Sequence, residues 1–156
     1  MTMNAELITT EVSTLLTMMG VSFKEIRVVV DTDLHLHIVS IRMSGTEEEL
    51  FTDNHSELSR SLGHLLKELL KKKHHFYKDI VIDINGKDKQ FIDFTKEKAS
   101  IAVERVQFFD KPYEFGYLNA YERMLIHTYL KNTPGLETIS EGEGKDRRLT
   151  VKKQNT

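Results

Sequence analysis

The chain has no cysteine, which excludes disulfides, thiolate catalysis and cysteine-ligated zinc. Proline occurs only at Pro112 and Pro134, and each falls where a helical pattern stops. No apolar run approaches the roughly 20 residues that a membrane-spanning helix needs, so no membrane partner is expected. The opening residues, Met1-Thr2-Met3-Asn4-Ala5-Glu6, lack the basic start and long apolar stretch of a signal peptide. A cytoplasmic location is the expectation. The short signatures of catalysis are missing as well. There is no Gly-x-Ser-x-Gly elbow, no phosphate-binding glycine loop and no His-Glu-x-x-His pair. Ser140 lies in a glycine-containing loop without a recognisable base partner. Neither an enzymatic activity nor a cofactor is expected.

What is present points to a folded binding protein. Of the 156 residues, 39% are hydrophobic and 29% charged, which supports a packed core beneath a solvated surface. The net charge of −2 is unevenly spread. Residues 1–54 carry −6, while residues 55–110 and 111–156 each carry +2. A polyanion is repelled by the first third and can approach the rest.

Periodicity predicts an α+β order. Residues 5–19 read as an amphipathic helix with Leu7, Val12, Leu15, Leu16 and Met19 on one side, stopped by Gly20. Two strands follow, marked by Ile26, Val28 and Val30 and then by Leu34, Leu36 and Ile38, with Asp31-Thr32-Asp33 as the turn. Ser44-Gly45-Thr46 ends this hairpin, and Glu47-Glu48-Glu49 reads as a solvated segment. A helix from about Ser56 to Lys73 carries Leu58, Leu62, Leu65, Leu66 and Leu69, with Asp53, Asn54 or Ser56 as its cap. Ile80, Ile82 and Ile84 alternate as a strand ending at Asn85-Gly86. A long helix over 89–110 has Phe91, Phe94, Ala99, Ala102, Val103 and Val106 as its apolar side and connects two domains, 1–88 and 111–156. The next helix, 119–132, starts with Asn119 and Glu122 in a capping-box arrangement. Short strands near Leu136–Ile139 and Arg148–Val151 flank the loop Ser140-Glu141-Gly142-Glu143-Gly144.

The run from Asn119 to His127 resembles the signature helix of the R-three-H domain family, named for an arginine and a histidine separated by three residues. The continuation Thr133-Pro134-Gly135-Leu136-Glu137-Thr138-Ile139-Ser140-Glu141-Gly142-Glu143-Gly144-Lys145-Asp146-Arg147-Arg148 is similar to that of bacterial Jag-like proteins, which join a KH-type domain to a C-terminal R-three-H domain. The resemblance implies a small KH-like α/β sandwich followed by an R-three-H α+β domain. The chain departs from the pattern at the nucleic-acid loop. A KH domain clamps the nucleic-acid backbone with a Gly-x-x-Gly loop, whereas this chain has Phe51-Thr52-Asp53-Asn54-His55-Ser56-Glu57 there.

Arg123 and His127 stand four apart, so a helix stacks them on one face. A guanidinium offers a fork of donors to phosphate, and an imidazole can stack, donate or gain charge beside one. The competing reading pairs Arg123 with Glu122 or Glu137. Asn119, Tyr121, Lys145, Arg147 and Arg148 complete the expected nucleic-acid contacts, with Lys152 and Lys153 beyond them. Of the aromatic run Phe108, Phe109, Tyr113, Phe115, Tyr117 and Tyr121, most are expected in the core. His35 and His37 share a strand face and could hold a metal only with a further ligand, which the sequence does not supply. Lys71-Lys72-Lys73-His74-His75 is a basic helix end, suited either to the helix dipole or to a phosphate. The function implied is binding of single-stranded nucleic acid, RNA ahead of DNA. The alternative is an adaptor whose KH-like half docks a protein or self-associates.

Overall fold

In the computed structural model, which describes residues 3–52 and 57–155, the apolar stripes of the sequence become two separate cores. The fold is α+β, with helices and two three-stranded sheets. The chain divides between Gln90 and Phe91.

The first unit contains α1 (Met3–Met18), β1 (Glu25–Asp31), β2 (Leu36–Arg42), α2 (Thr46–Thr52), α3 (Glu57–His74) and β3 (Asp79–Ile84). Its sheet runs in the order β1-β2-β3, antiparallel between the first pair and parallel between the second. Ile8, Val12 and Leu16 of α1 recur every fourth residue, as do Leu62, Leu66 and Leu70 of α3. That spacing lays one stripe per helix against Val39, Ile41, Ile82 and Ile84 of the sheet. Each such side chain contributes about 1.5–3 kcal/mol by leaving water. Gly63 lets α3 come close to the sheet, because a Cβ there would sit 3.4 Å from Ile82 Cγ1. The charged Glu11 is buried beneath α3, where it accepts from Lys73 Nζ at 3.0 Å and lies 2.7 Å from His74 Nε2. The basic helix end is thereby partly used to anchor α1.

Three expectations change in this unit. The acidic run Glu47-Glu48-Glu49 is the first turn of α2, where carboxylates suit the helix dipole, and the same helix buries Phe51 completely. The second strand begins at Leu36, because the Asp31 carboxylate accepts from the backbone of Asp33 and Leu34 and extends the turn. His35 sits in that turn with φ 55°, so it does not share a strand face with His37, which is buried edge-on to Phe76. Among the described residues no group of three or more His, Asp or Glu is arranged to hold a metal. The capping candidates Asp53, Asn54 and Ser56, and the centre of the glycine-free segment, lie outside the described residues.

Helix α4 (Lys87–Phe109) follows the Asn85-Gly86 turn. The buried Asp83 carboxylate starts it by accepting from the backbone N–H groups of Asp88 and Lys89, while Ser40 donates to its other oxygen.

The second unit contains the rest of α4, then β4 (Tyr113–Glu114), α5 (Ala120–Leu130), β5 (Leu136–Glu141), a 3-10 turn over Gly144–Asp146 and β6 (Arg148–Lys153). The sheet order is β4-β6-β5, antiparallel throughout, which leaves β5 at an edge. The helix expected to link two halves supplies Ala99, Ala102 and Val106 to this core, beside Leu118, Ile126, Leu130, Leu136, Leu149 and Val151. Its buried positions are Ile92, Thr95, Ala99, Ala102 and Val106. Phe94 therefore turns outward, with the Lys98 ammonium 4.8 Å above its ring. Of the aromatic run only Phe115 is fully in the core; Phe108 is 83% exposed, and Phe109, Tyr117 and Tyr121 are exposed as well. No helix among the described residues is long and apolar enough to cross a membrane.

Candidate nucleic-acid interface

Helix α5 is fixed at its start by a complete capping box. The Asn119 side chain accepts from the Glu122 backbone at 2.9 Å, and the Glu122 carboxylate accepts from the Asn119 backbone at 2.9 Å. Asn119 thus shapes the helix end, and its side-chain oxygen is committed to that task. Leu125, Ile126 and Leu130 face the core. The remaining arc carries the half-buried Arg123 and the exposed His127.

Arg123 Nη1 donates to the Leu118 carbonyl at 2.6 Å, which pins the guanidinium against the loop before the helix. The carboxylates that competed for it are occupied elsewhere: Glu122 by Lys98 at 3.3 Å and Glu137 by Lys152 at 3.2 Å. One turn on, His127 Nδ1 lies 2.5 Å from the Thr138 hydroxyl. This contact joins α5 to the edge strand, which returns beside the helix after the turn at Pro134-Gly135.

The register of β5 against β6 shows what else lies on this row. Thr138 pairs with Val151 and Ser140 with Leu149, both of which are core residues, so Thr138 and Ser140 share the face that α5 covers. Arg147 precedes β6 and reaches the same face, where its Nε donates to the Ser140 hydroxyl at 2.8 Å. His127 and Arg147 thereby line the seam between α5 and β5, and Arg123 stands one turn before His127 on the same helix face. Among the described residues, the terminal nitrogens of Arg147 and Nε2 of His127 have no protein partner.

The other expected contacts lie elsewhere. Arg148 alternates to the opposite face across from Glu141, and its Nη1 donates to the carbonyls of Lys145 and Arg147, closing the 3-10 turn. Arg147 and Arg148 therefore do not form one cluster, because neighbours on an extended chain point apart. Lys145 is exposed on the turn itself. Tyr121 stands two residues from Arg123, on the other flank of α5, stacked on Phe91 with centroids 5.9 Å apart. Lys152 and Lys153 are tied to Glu137 and Asp110. The loop holding Arg147 in place depends on Gly142, whose φ is +91° and where a Cβ would come 2.8 Å from the Asp146 carbonyl oxygen.

Thr138 and Ser140 are site residues that the sequence reading misses. The available signal is the alternation Thr-Ile-Ser on a short strand, which places two hydroxyls on one face. A comparison with curated proteins finds no match to the chain. Residues 93–153 match the family model of the R-three-H domain, so α4 from Asp93 onward falls within the match, and this part of the chain is an R-three-H domain, a module that generally binds single-stranded nucleic acid.

Proposed function

We propose that the chain is a binding protein for single-stranded RNA, acting through the seam formed by Arg123, His127 and Arg147 rather than through any catalytic step. The observation that carries this reading is the set of distal nitrogens left without a protein partner on Arg147 and His127 once their inner nitrogens are held by Ser140 and Thr138. A guanidinium and an imidazole held this way offer phosphate a fork and a point donor, and offer bases two flat faces. Unpaired strands expose both features together. A titration of the full chain against a short oligouridine RNA and the matching DNA, at two salt concentrations, tests it. Tighter RNA binding is expected, with a log–log salt slope of about −0.7 for each phosphate neutralised. Equal affinity for the two would remove the RNA preference, and no affinity for either would remove the reading.

For the first unit we propose a KH-like layout used for protein contact. The hairpin, the leucine-rich α3 and the closing strand β3 fit that layout. Supporting protein contact are the acidic excess of residues 1–54 and the edge strand β1, where Val29 and Val30 are both exposed. Self-association through β1 would appear as a concentration-dependent mass in sedimentation, abolished by Val29→Lys.

A further inference from the structure

Two short side chains on the edge strand each contact one exposed basic group of the seam. Thr138 meets His127 Nδ1, and Ser140 meets Arg147 Nε. These hydroxyls are two residues apart on one strand face, which places them about 7 Å from each other. That is close to the separation of neighbouring phosphates in an extended single strand. In both contacts the hydroxyl takes the nitrogen nearest the backbone and leaves the distal nitrogens to point away. When the Thr138 hydroxyl donates to Nδ1, the ring keeps its hydrogen on Nε2, which then faces outward as a donor. Ser140 accepts from Nε and leaves both terminal nitrogens of the Arg147 fork in place.

From this arrangement we infer that Thr138 and Ser140 are positioning residues of the nucleic-acid site, which set His127 and Arg147 at the spacing of two consecutive phosphates. The ligand class that fits is an extended single strand with at least two adjacent phosphodiesters. Because β5 is the sheet edge, no strand pairs along its outer side among the described residues. The inference rests on the proposed nucleic-acid reading and adds to it the residues that impose the geometry. It also accounts for the two hydroxyls, which supply nothing to the apolar core on whose side they lie.

The test is a double-mutant cycle on the full chain with a short oligouridine RNA as probe. Thr138→Val keeps the β-branched shape and Ser140→Ala keeps the small size, so each removes little besides the hydroxyl. Each is expected to weaken binding roughly three- to tenfold with melting temperature nearly unchanged. The loss from Thr138→Val should vanish in a His127→Ala background, and that from Ser140→Ala in an Arg147→Ala background, because each hydroxyl acts through its partner. Thr138→Ser and Ser140→Thr should restore affinity. A uridine trinucleotide with two internucleotide phosphates should gain more over the dinucleotide than a tetranucleotide gains over the trinucleotide. Wild-type affinity in both hydroxyl variants, beside weakened His127→Ala and Arg147→Ala, would overturn the positioning role while leaving the site. Equal gains for each added phosphate would overturn the matched spacing. Full affinity in His127→Ala and Arg147→Ala would overturn the site and this inference together.

Discussion

His127 and Thr138 join helix α5 of the R-three-H domain to the edge strand of its sheet through a contact of 2.5 Å between Nδ1 and the hydroxyl. The contact gives the imidazole a fixed direction although the ring is exposed. Arg123, one turn earlier on the same face, is fixed by the Leu118 carbonyl. Two long or mobile side chains are thus ordered before any ligand arrives, which lowers the entropy cost of binding.

Arg123→Ala should therefore do two things. It removes a charged contact to the ligand, expected to weaken RNA binding about tenfold. It also removes a part-buried hydrogen bond and should lower stability by about 1 kcal/mol. His127→Ala should weaken binding less and leave stability close to wild type. Parallel binding titrations and urea unfolding separate the two effects. Equal loss of stability in both variants would argue that His127 is mainly structural.

Asn119 offers a way to tell a capping residue from a ligand contact. Asn119→Ala should cost about 1 kcal/mol of stability through loss of the N-cap. Asn119→Ser should keep both stability and affinity, since serine caps nearly as well. Strong loss of RNA binding in a well-folded Asn119→Ser protein would show that the amide touches the ligand.

Gly142 is where a single methyl group should disturb the site from a distance. Alanine there would have to adopt a left-handed backbone and approach the Asp146 carbonyl. Gly142→Ala should destabilise by about 1–3 kcal/mol. It should also weaken binding, because Arg147 follows directly in the displaced segment. Unfolding curves together with an RNA titration check both parts, and a neutral substitution would mean that the loop adapts freely.

Glu11 predicts a pH dependence in the first unit. The hydrogen bond to His74, with the bond and charge of Lys73, holds its carboxyl below the ordinary 4.5, against the opposing effect of burial. A carboxyl lowered in the folded state stabilises above its unfolded value and loses that contribution as pH falls through the lowered one. Urea midpoints of the wild type should therefore fall below about pH 4.5 more steeply than those of Glu11→Gln. Parallel curves for the two proteins would remove this role from Glu11.

Periodic signals are the most legible part of the sequence. The leucine spacing of α3, the alternation of Ile80, Ile82 and Ile84 and the Asn119–Glu122 box all become the expected elements. What stays hidden involves competition between local and tertiary effects. A run of three glutamates conceals the start of α2, whose reason to form is the burial of Phe51. Phe94 reads as apolar-side by spacing, but the buried stripe of α4 runs through Ile92 and Thr95 before the expected Ala99, Ala102 and Val106. Arg123 and His127 are readable as neighbours on one helix face from their spacing, and as a candidate site only from the resemblance of the run around them. Their companions Thr138, Ser140 and Arg147 are not readable as one group, because strand register decides which neighbours share a face. A shift of one residue would have put Arg148 on the seam in place of Arg147.

The most direct measurement is RNA binding by the double variant Arg123→Ala/His127→Ala, with a thermal melt on the same sample to show that it folds. The expected result is a near-complete loss of affinity for short unpaired RNA, with a salt slope flatter than wild type by about 0.7 or more. A folded double variant that binds as tightly as wild type, with the same salt slope, would contradict the seam as the nucleic-acid site.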